Sequence, residues 1–464
     1  MTGKNKNIAI VGAGLVGSLL SIYLAKRGYP VSLFERRGDM RKQDAGGGRS
    51  INLALSNRGI KALHEVGLAD AIRKTAIPMH GRMIHPADGQ LNFQPYGKEG
   101  EFINSISRSG LNIVLMDEAE RLGVEIHFNQ EVESVDLRST LLKMSTVHSR
   151  QSTADSGLWT VDCGLIIGAD GAYSSVRSAF QISDRFDYSQ TYIEHGYKEL
   201  TIPAVNQQST VDGRPLTIHA LHIWPRESFM LIALPNPDGS FTCTLFFPFE
   251  GEISFDKLKS KEDVQLFFRK YFPDVIPLMP TLEEDFLSNP TSSLVTVRCW
   301  PWVKGPQTPE GGTSLLIGDA AHGIVPFFGQ GMNAGFEDCR ILNDLLNQYE
   351  DDWEKALPEF QNQRKPDTDA IAQLALDNFI EMRDLVADPE FILRKKIEAR
   401  LHQLFPDKWI PLYSMVTFNE TIRYSEALKI GRRQKVIMDE LMAKPQISEN
   451  WERIDCEEIV ERLE

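Results

Sequence analysis

The chain has 464 residues, too many for one hydrophobic core, so two or more domains are expected. With 42% hydrophobic and 25% charged residues it has an ordinary globular composition, which argues against fibrous and disordered classes. A formal net charge of −14 disfavours a nucleic-acid partner, and five scattered cysteines with no Cys-x-x-Cys pair suggest neither a disulfide framework nor a zinc site.

The first predicted strand, Ile8 to Val11, begins too close to the N-terminus to leave room for a signal peptide. No run approaches the roughly 18 apolar residues of a membrane span. A reducing, cytoplasmic setting is the expectation. Directly after the strand comes Gly12-Ala-Gly14-Leu-Val-Gly17, then a predicted helix from Ser18 to Lys26 that Gly28 ends. Gly12 permits the tight turn, Gly14 lets a pyrophosphate approach the backbone, and Gly17 lets helix and strand pack closely. N–H groups and the dipole at the helix N-terminus favour the phosphate charge. The second strand, Val31 to Phe34, leads to Glu35, placed roughly 20 residues beyond the second glycine, where a carboxylate meets ribose hydroxyls. This motif by itself does not separate FAD from NAD.

Residues 1 to about 75 are βαβ in pattern, Gly46-Gly47-Gly48 reads as a flexible loop, and Ile77 to Phe102 is a short stretch punctuated by Pro and Gly. The βαβ pattern resumes from 105 to about 180, where the buried strand Leu165 to Ile167 runs into a second signature, Gly168-Ala-Asp170-Gly171. Strand-like runs follow from Phe186 to Thr296, among them Leu216 to Trp224, Phe229 to Leu234 and Phe241 to Phe247. Another strand, Leu315 to Ile317, enters a third signature, Gly318-Asp319 through Gly329-Gln-Gly331-Met-Asn333. Each aspartate stands at a strand's carboxyl end, where open α/β sheets bind ligands; taken singly, each is equally readable as a helix cap or turn residue. Asp319 suits a ribitol hydroxyl, and Gly329 to Asn333 opens a helix whose N-terminus can stabilise negative charge on a reduced flavin. From Pro366 onward the pattern is helical, and Gly431 to Glu464 is charged.

The expected fold class is therefore α/β: a Rossmann-type FAD-binding domain (1–75, 105–180 and 297–365) interleaved with a mixed β-sheet substrate domain (76–104 and 181–296). C-terminal helices (366–464) are expected to close the substrate pocket.

The three ordered signatures resemble the class A FAD-dependent aromatic hydroxylases, and Arg108-x-x-Leu111-x-x-x-Leu115 adds that group's helix start, with the arginine near the flavin pyrophosphate. Longer blocks resemble the kynurenine 3-monooxygenase family: Glu35-Arg36-Arg37, Gly48 to Leu55, Gly81-Arg-Met-Ile-His85, Leu221 to Arg226, Pro326 to Asp338, Ile380-Glu-Met-Arg383 and Pro411 to Phe418. The resemblance implies an NADPH- and FAD-dependent monooxygenase that hydroxylates L-kynurenine at ring position 3, with O2 as co-substrate, through a flavin C4a-hydroperoxide. It implies that Arg82 binds the amino-acid carboxylate by a two-pronged contact, that Tyr96 donates to the same group, and that Asn378 and Tyr413 complete the clamp. Met230, Leu234, Phe246, Pro326 and Phe327 are implied as the apolar wall against the ring, with Phe328 standing where some relatives carry histidine. Cofactor contacts are implied for Gly12, Gly14, Val16, Gly17, Glu35, Arg36, Arg37, Ala54, Arg108, Val132, Asp170, Asp319, Met332 and Asn333.

No residue is assigned a catalytic role, since the chemistry is flavin-borne; His85, His195 and His322 are read as structural. NADPH has no second glycine fingerprint, so transient docking is expected. Animal members add a hydrophobic C-terminal anchor that this sequence lacks, which implies a bacterial, cytoplasmic version. Assembly is left open, a homodimer included. Other readings also stay open: another FAD-dependent aromatic hydroxylase, a halogenase or polyprenyl reductase on the same scaffold, and a flavin-binding protein with vestigial activity. Trp300-Pro-Trp302 superficially matches a halogenase Trp-x-Trp, but Val303-Lys304 follows where Ile-Pro is required. An NAD-dependent dehydrogenase leaves the second and third signatures unexplained.

Overall fold

The apolar runs that flank the glycine signatures are flanked by neighbours on both sides, as continuous hydrophobic strands require. In a computed structural model of the chain, which describes residues 7–42, 52–146, 158–204, 210–211, 214–306, 312–386 and 388–463, they form one six-stranded sheet. Its order is Val303–Lys304, Thr313–Leu316, Leu165–Gly168, Ile8–Val11, Val31–Glu35, Glu125–Phe128. The last five strands are parallel, with Ile8 opposite both Leu165 and Val31, and the short first strand is antiparallel at the edge. The glycine run at 46–48 and positions 48–51 of the Gly48 to Leu55 block lie outside the described residues.

The chain divides into two units. The first comprises Met1–Ala76, Ile106–Tyr192 and Val295–Ala372; the second comprises Ile77–Ser105, Ile193–Leu294 and Gln373–Glu464. The six-stranded sheet belongs to the first. Helix Leu15–Lys26 starts three residues before the predicted Ser18, because Gly14 already serves as its N-cap.

The second unit is built on strands Phe241–Pro248, Phe229–Pro235, Ala220–Arg226, Gly81–Ile84 and Asn92–Pro95, hydrogen-bonded in that order within a seven-stranded sheet. Side chains alternate across it. Phe229, Leu231 and Ala233 face one way with Trp224, Cys243, Leu245 and Phe247, into a core completed by Phe267, Phe268 and Phe272. Met230 and Leu234 face the other way, and Phe246 shares that side because it pairs with Met230. Arg82 pairs with Leu221, whose neighbour His222 pairs with Ala233, so Arg82 also lies on the Met230 side.

Four elements differ from expectation. Strand-like territory was expected through Thr296, yet helices Lys261–Tyr271 and Leu282–Ser288 lie within it. A capping box opens the first of them: Ser260 accepts from the Asp263 N–H at 3.1 Å and Asp263 accepts from the Ser260 N–H at 3.0 Å. The predicted run Leu216 to Trp224 becomes strand only from Ala220, extending to Arg226. Helix Trp353–Ile380 begins before Pro366 and carries it, with Pro358, inside. Among the described residues no helix is long and apolar enough to cross a membrane.

Phe229 is 2% exposed and meets Phe247, Tyr271 and Phe272 edge-on at centroid distances of 5.1, 5.1 and 6.0 Å. Truncating it opens a cavity that such a rigid aromatic cluster cannot close. Phe229→Ala is expected to cost about 3–5 kcal/mol in chemical denaturation; a loss below about 1 kcal/mol counts against this packing.

Candidate functional site

In the first unit, the turn after Ile8–Val11 is forced by sterics. Gly12 has φ +102, and a Cβ there would lie 2.6 Å from the Ala169 carbonyl; one on Gly17 would lie 2.0 Å from the Gly12 carbonyl. Only glycines allow helix Leu15–Lys26 to approach the strand ends this closely. Glu35 braces the same turn, its Oε2 accepting from the Ala13 N–H at 3.0 Å and its Oε1 from the Arg37 Nε at 2.8 Å. Arg36, beside it, is exposed. Val16 fills the space that side chains on Gly318 or Gly335 would need.

The aspartates of the two later signatures part company. Asp170 is spent on a helix N-terminus: Oδ1 accepts from Ser174 Oγ at 2.5 Å and Oδ2 from the Ser175 and Val176 N–H groups at 2.7 and 3.2 Å. Burial pushes its carboxyl up against those bonds. Asp319 has an exposed side chain, yet desolvation raises its carboxyl above the ordinary value, with His322 and Arg108 opposing. Asn333 is wholly buried; it donates to the carbonyls of Ala54 and Gly329, each at 2.8 Å, and accepts from the Ser56 N–H at 3.0 Å. It joins the Asn52–Leu55 strand to the Gly329 turn. Arg108 is exposed at the start of helix Arg108–Arg121, Val132 is buried in Gln130–Asp136, and Met332 is half-buried at the start of Gly331–Gln348.

A flavin dinucleotide needs phosphate donors and space beside them. A Cβ on Gly14 meets nothing within 4 Å, and helix Leu15–Lys26 has neither a side-chain cap nor an acid in its first turn. Helix Gly331–Gln348 likewise starts with no side-chain cap and no acid in its first turn. Two uncapped helix N-termini, one opening onto free space at Gly14, are suited to a pyrophosphate and to an electron-rich ring. The residues fit the group.

In the second unit, Arg82 is 9% exposed and lies beside a stacked pair of tyrosines. Tyr96 and Tyr413 are stacked with centroids 5.4 Å apart and planes at 9°, and the guanidinium carbon lies 4.8 Å from the Tyr413 ring and 5.7 Å from that of Tyr96. Burial pushes both phenols up, with Arg82 opposing, so both remain protonated donors at neutral pH. The Arg82 Nε is buried with no hydrogen-bond partner. An orphaned charged donor costs free energy until an acceptor arrives.

Asn378 is buried near the end of helix Trp353–Ile380. Three residues on, Glu381 lies 3.7 Å from Arg82 Nη1 and 3.8 Å from Lys395 Nζ. Sequence reasoning missed Glu381, although it falls within the Ile380 to Arg383 block. Met230, Leu234 and Phe246 are 0%, 9% and 3% exposed on the Arg82 side of the sheet. Pro326 and Phe327 belong to the first unit, the former exposed and the latter buried.

The histidines are engaged structurally. His85 Nε2 and His222 Nδ1 are 2.9 Å apart, and His85 stacks on Trp224 at 4.0 Å. Burial pushes His85 down to about 2 and His222 to about 4, so both are neutral at pH 7. His195 is 2.7 Å from the Ser228 carbonyl, and His322 is 2.5 Å from Asp338.

A glycine-turned parallel sheet with two open helix N-termini, accompanied by a sheet bearing a buried guanidinium beside paired tyrosines, fits a flavin-dependent aromatic monooxygenase. A family model for the FAD binding domain matches residues 5–265. Kynurenine 3-monooxygenase of Flavobacterium johnsoniae is 50% identical over 459 residues, 98% of each chain. Its counterpart in Christiangramia forsetii is 49% identical over 456 residues, again 98% of each. Among solved structures, a tetrameric form of 2-methyl-3-hydroxypyridine-5-carboxylic acid oxygenase shares the fold, with a TM-score of 0.65 at 19% identity over 86% of this chain and 98% of that one. The chain belongs to the kynurenine 3-monooxygenase family.

The Gly17 contact supplies a direct test of the cradle. Gly17→Ala is expected to give a folded protein, by circular dichroism, that purifies with most of its FAD lost. A variant that retains full flavin absorbance would show that the 2.0 Å approach is not needed.

Proposed function

We propose that the protein hydroxylates L-kynurenine at ring position 3, using FAD, NADPH and O2. The observation that carries this reading is the buried, unpartnered Nε of Arg82 beside two protonated, mutually stacked tyrosines. That donor set is complementary to a carboxylate: a planar guanidinium donates to two oxygens side by side, and a phenol donates a third bond. Glu381, close to Arg82 and three residues beyond Asn378, offers a carboxylate to the substrate's ammonium group. Met230, Leu234 and Phe246 give the aromatic ring an apolar, water-poor bed, which limits loss of the activated oxygen to solvent.

Bound FAD, reduced by NADPH, supplies the activation of O2. Gly12, Gly14 and Gly17 with the first turn of Leu15–Lys26 are proposed to hold its pyrophosphate, Glu35 its ribose and Asp319 its ribitol. Val16, Arg36, Arg37, Ala54, Arg108, Val132, Asp170, Met332 and Asn333 line or brace the same cradle in this reading. The two units thus divide the work, the first holding cofactor and the second substrate. The chain's own residues contribute position, polarity and dryness rather than a general base. The proposed compartment is the cytoplasm, supported by five buried cysteines that are all free thiols.

The purified yellow protein is expected to oxidise NADPH slowly alone and much faster with L-kynurenine, yielding a product heavier by one oxygen atom in mass spectrometry. Stimulation that yields only peroxide would make kynurenine an effector and redirect the reading to another aromatic acid. Arg82→Ala removes two charge-assisted bonds and should raise KM for L-kynurenine roughly 100-fold or more with FAD still bound; an unchanged KM removes Arg82 from the clamp.

A further inference from the structure

A cavity of about 550 Å3 opens in the first unit between three segments distant in sequence: the start of strand Asp187–Ile202, the end of strand Ser292–Trp300 and the middle of helix Trp353–Ile380. None of the three signatures falls on its lining. Strand alternation sends Arg298 and Trp300 to the same side, and helical spacing puts Asn362, Lys365 and Pro366 on one face. The segments are pinned together, since Gln361 Oε1 accepts from the Trp302 and Val303 N–H groups at 3.0 and 3.2 Å.

Arg298 and Lys365 share a single carboxylate, that of Asp369. Lys365 bonds it directly, while Arg298 stands 3.8 Å away. With Asp187 on the opposite strand, the two cations meet two carboxylates, so the cavity offers donors and acceptors side by side rather than a net charge. Asp187 supplies an acceptor on the opposite strand. Pro366 has no N–H to give the Asn362 carbonyl, which is left as a second acceptor. Behind the cavity, Cys299 Sγ is 3.3 Å from the Ala321 carbonyl, and Arg177, stacked 4.9 Å over Tyr188, donates to the Ala320 carbonyl at 2.9 Å. The Cys299 contact ties the lining to the backbone that follows Asp319.

Cations, acceptors and an indole face together match a dinucleotide in kind: phosphates, ribose hydroxyls and a base. The volume is within the range of small-molecule sites. We propose that this cavity is the docking site of NADPH, its phosphates on Arg298 and Lys365, its ribose hydroxyls on Asp187 and the Asn362 carbonyl, and a base against Trp300. The inference rests on the function proposed above, yet binding is read separately from turnover. Both cations are partly exposed, with side chains 29% and 22% accessible, so the contact is weak and salt-sensitive, as a reductant that arrives and leaves requires.

The test titrates the FAD-loaded protein with NADP+ by calorimetry and follows flavin reduction against NADPH concentration. Arg298→Ala/Lys365→Ala should weaken NADP+ binding at least tenfold, while FAD content and the affinity for L-kynurenine do not move. Asp369→Asn frees both cations and should shift NADP+ affinity the other way, an arm that a merely destabilised protein cannot mimic. Unchanged affinity in both variants, or loss in both, overturns the proposal. So does inorganic phosphate binding as tightly as NADP+, which would make the cavity an anion site alone. If L-kynurenine fails to stimulate NADPH oxidation while these shifts persist, the assigned substrate falls and the docking site stands.

Discussion

The first unit depends on one buried carboxylate, Asp338. Its Oδ2 takes His322 Nε2 at 2.5 Å and the Gly318 N–H at 3.3 Å, and its Oδ1 takes Arg364 Nε at 2.7 Å. Arg364 is wholly buried; it also reaches Glu337 at 2.7 Å, which pairs on its other oxygen with Arg58 at 2.7 Å. Burial pushes both carboxyls up, but Arg364 and Arg58 on Glu337, and His322 and Arg364 on Asp338, outweigh it and hold both below the usual carboxylate range. Removing one partner from such a network leaves a naked charge and costs about 3–5 kcal/mol, whereas an apolar replacement of the whole can cost nothing. The network therefore supplies direction more than stability. The network ties helices Asn57–Glu65, Asp319–His322, Gly331–Gln348 and Trp353–Ile380 to one another through Arg58, His322, Glu337, Asp338 and Arg364.

The network also fixes the turn that precedes it. Gly318, at φ +60, turns the chain so that Asp319 is exposed while His322 is buried against Asp338. Asn333 then ties the same helix start to the Ala54 strand. Residues of the signatures are thus divided between those that can touch a ligand and those that hold the others in place. Asp170, capping helix Ser175–Gln181, belongs to the second group as far as its bonds show.

The difference between cofactor and substrate recognition explains what could be read from the chain. In the proposed reading the dinucleotide is met mainly by backbone, and backbone access leaves a spacing of glycines that is visible in sequence: Gly12, Gly14 and Gly17, with Glu35 closing the next strand. The substrate would be met by side chains from strand Gly81–Ile84, the Tyr96 loop and two helical segments far along the chain. An arginine or tyrosine bears no local mark of such a role, so Arg82, Tyr96, Asn378 and Tyr413 were reached only through family resemblance, and Glu381 was not reached at all. Helix Lys261–Tyr271 was legible and overlooked: Ser260-Lys-Glu-Asp263 is a capping box in plain sequence, masked by the aromatic run Phe267, Phe268, Tyr271 and Phe272. The Arg298 cavity has no local signal, because its three walls are joined only by the fold.

Both side-chain sites use the same electrostatic device at different depths. In one, Glu381 stands between Arg82 and Lys395 at 3.7 and 3.8 Å, too far to satisfy either fully; in the other, Asp369 stands between Lys365 and Arg298. A carboxylate shared by two cations fixes their positions; Lys395 is also held by Glu398 at 3.2 Å, which leaves Arg82 as the cation that would meet an anionic guest. Depth then sets strength. The Arg82 side chain is 10% exposed and faces little screening, so a carboxylate there is held by strong, directional bonds. Arg298 is 29% exposed, close enough to solvent for ions to weaken the attraction. A substrate that must stay through the oxygen transfer and a reductant that must depart before it call for that difference, and burial alone is enough to produce it.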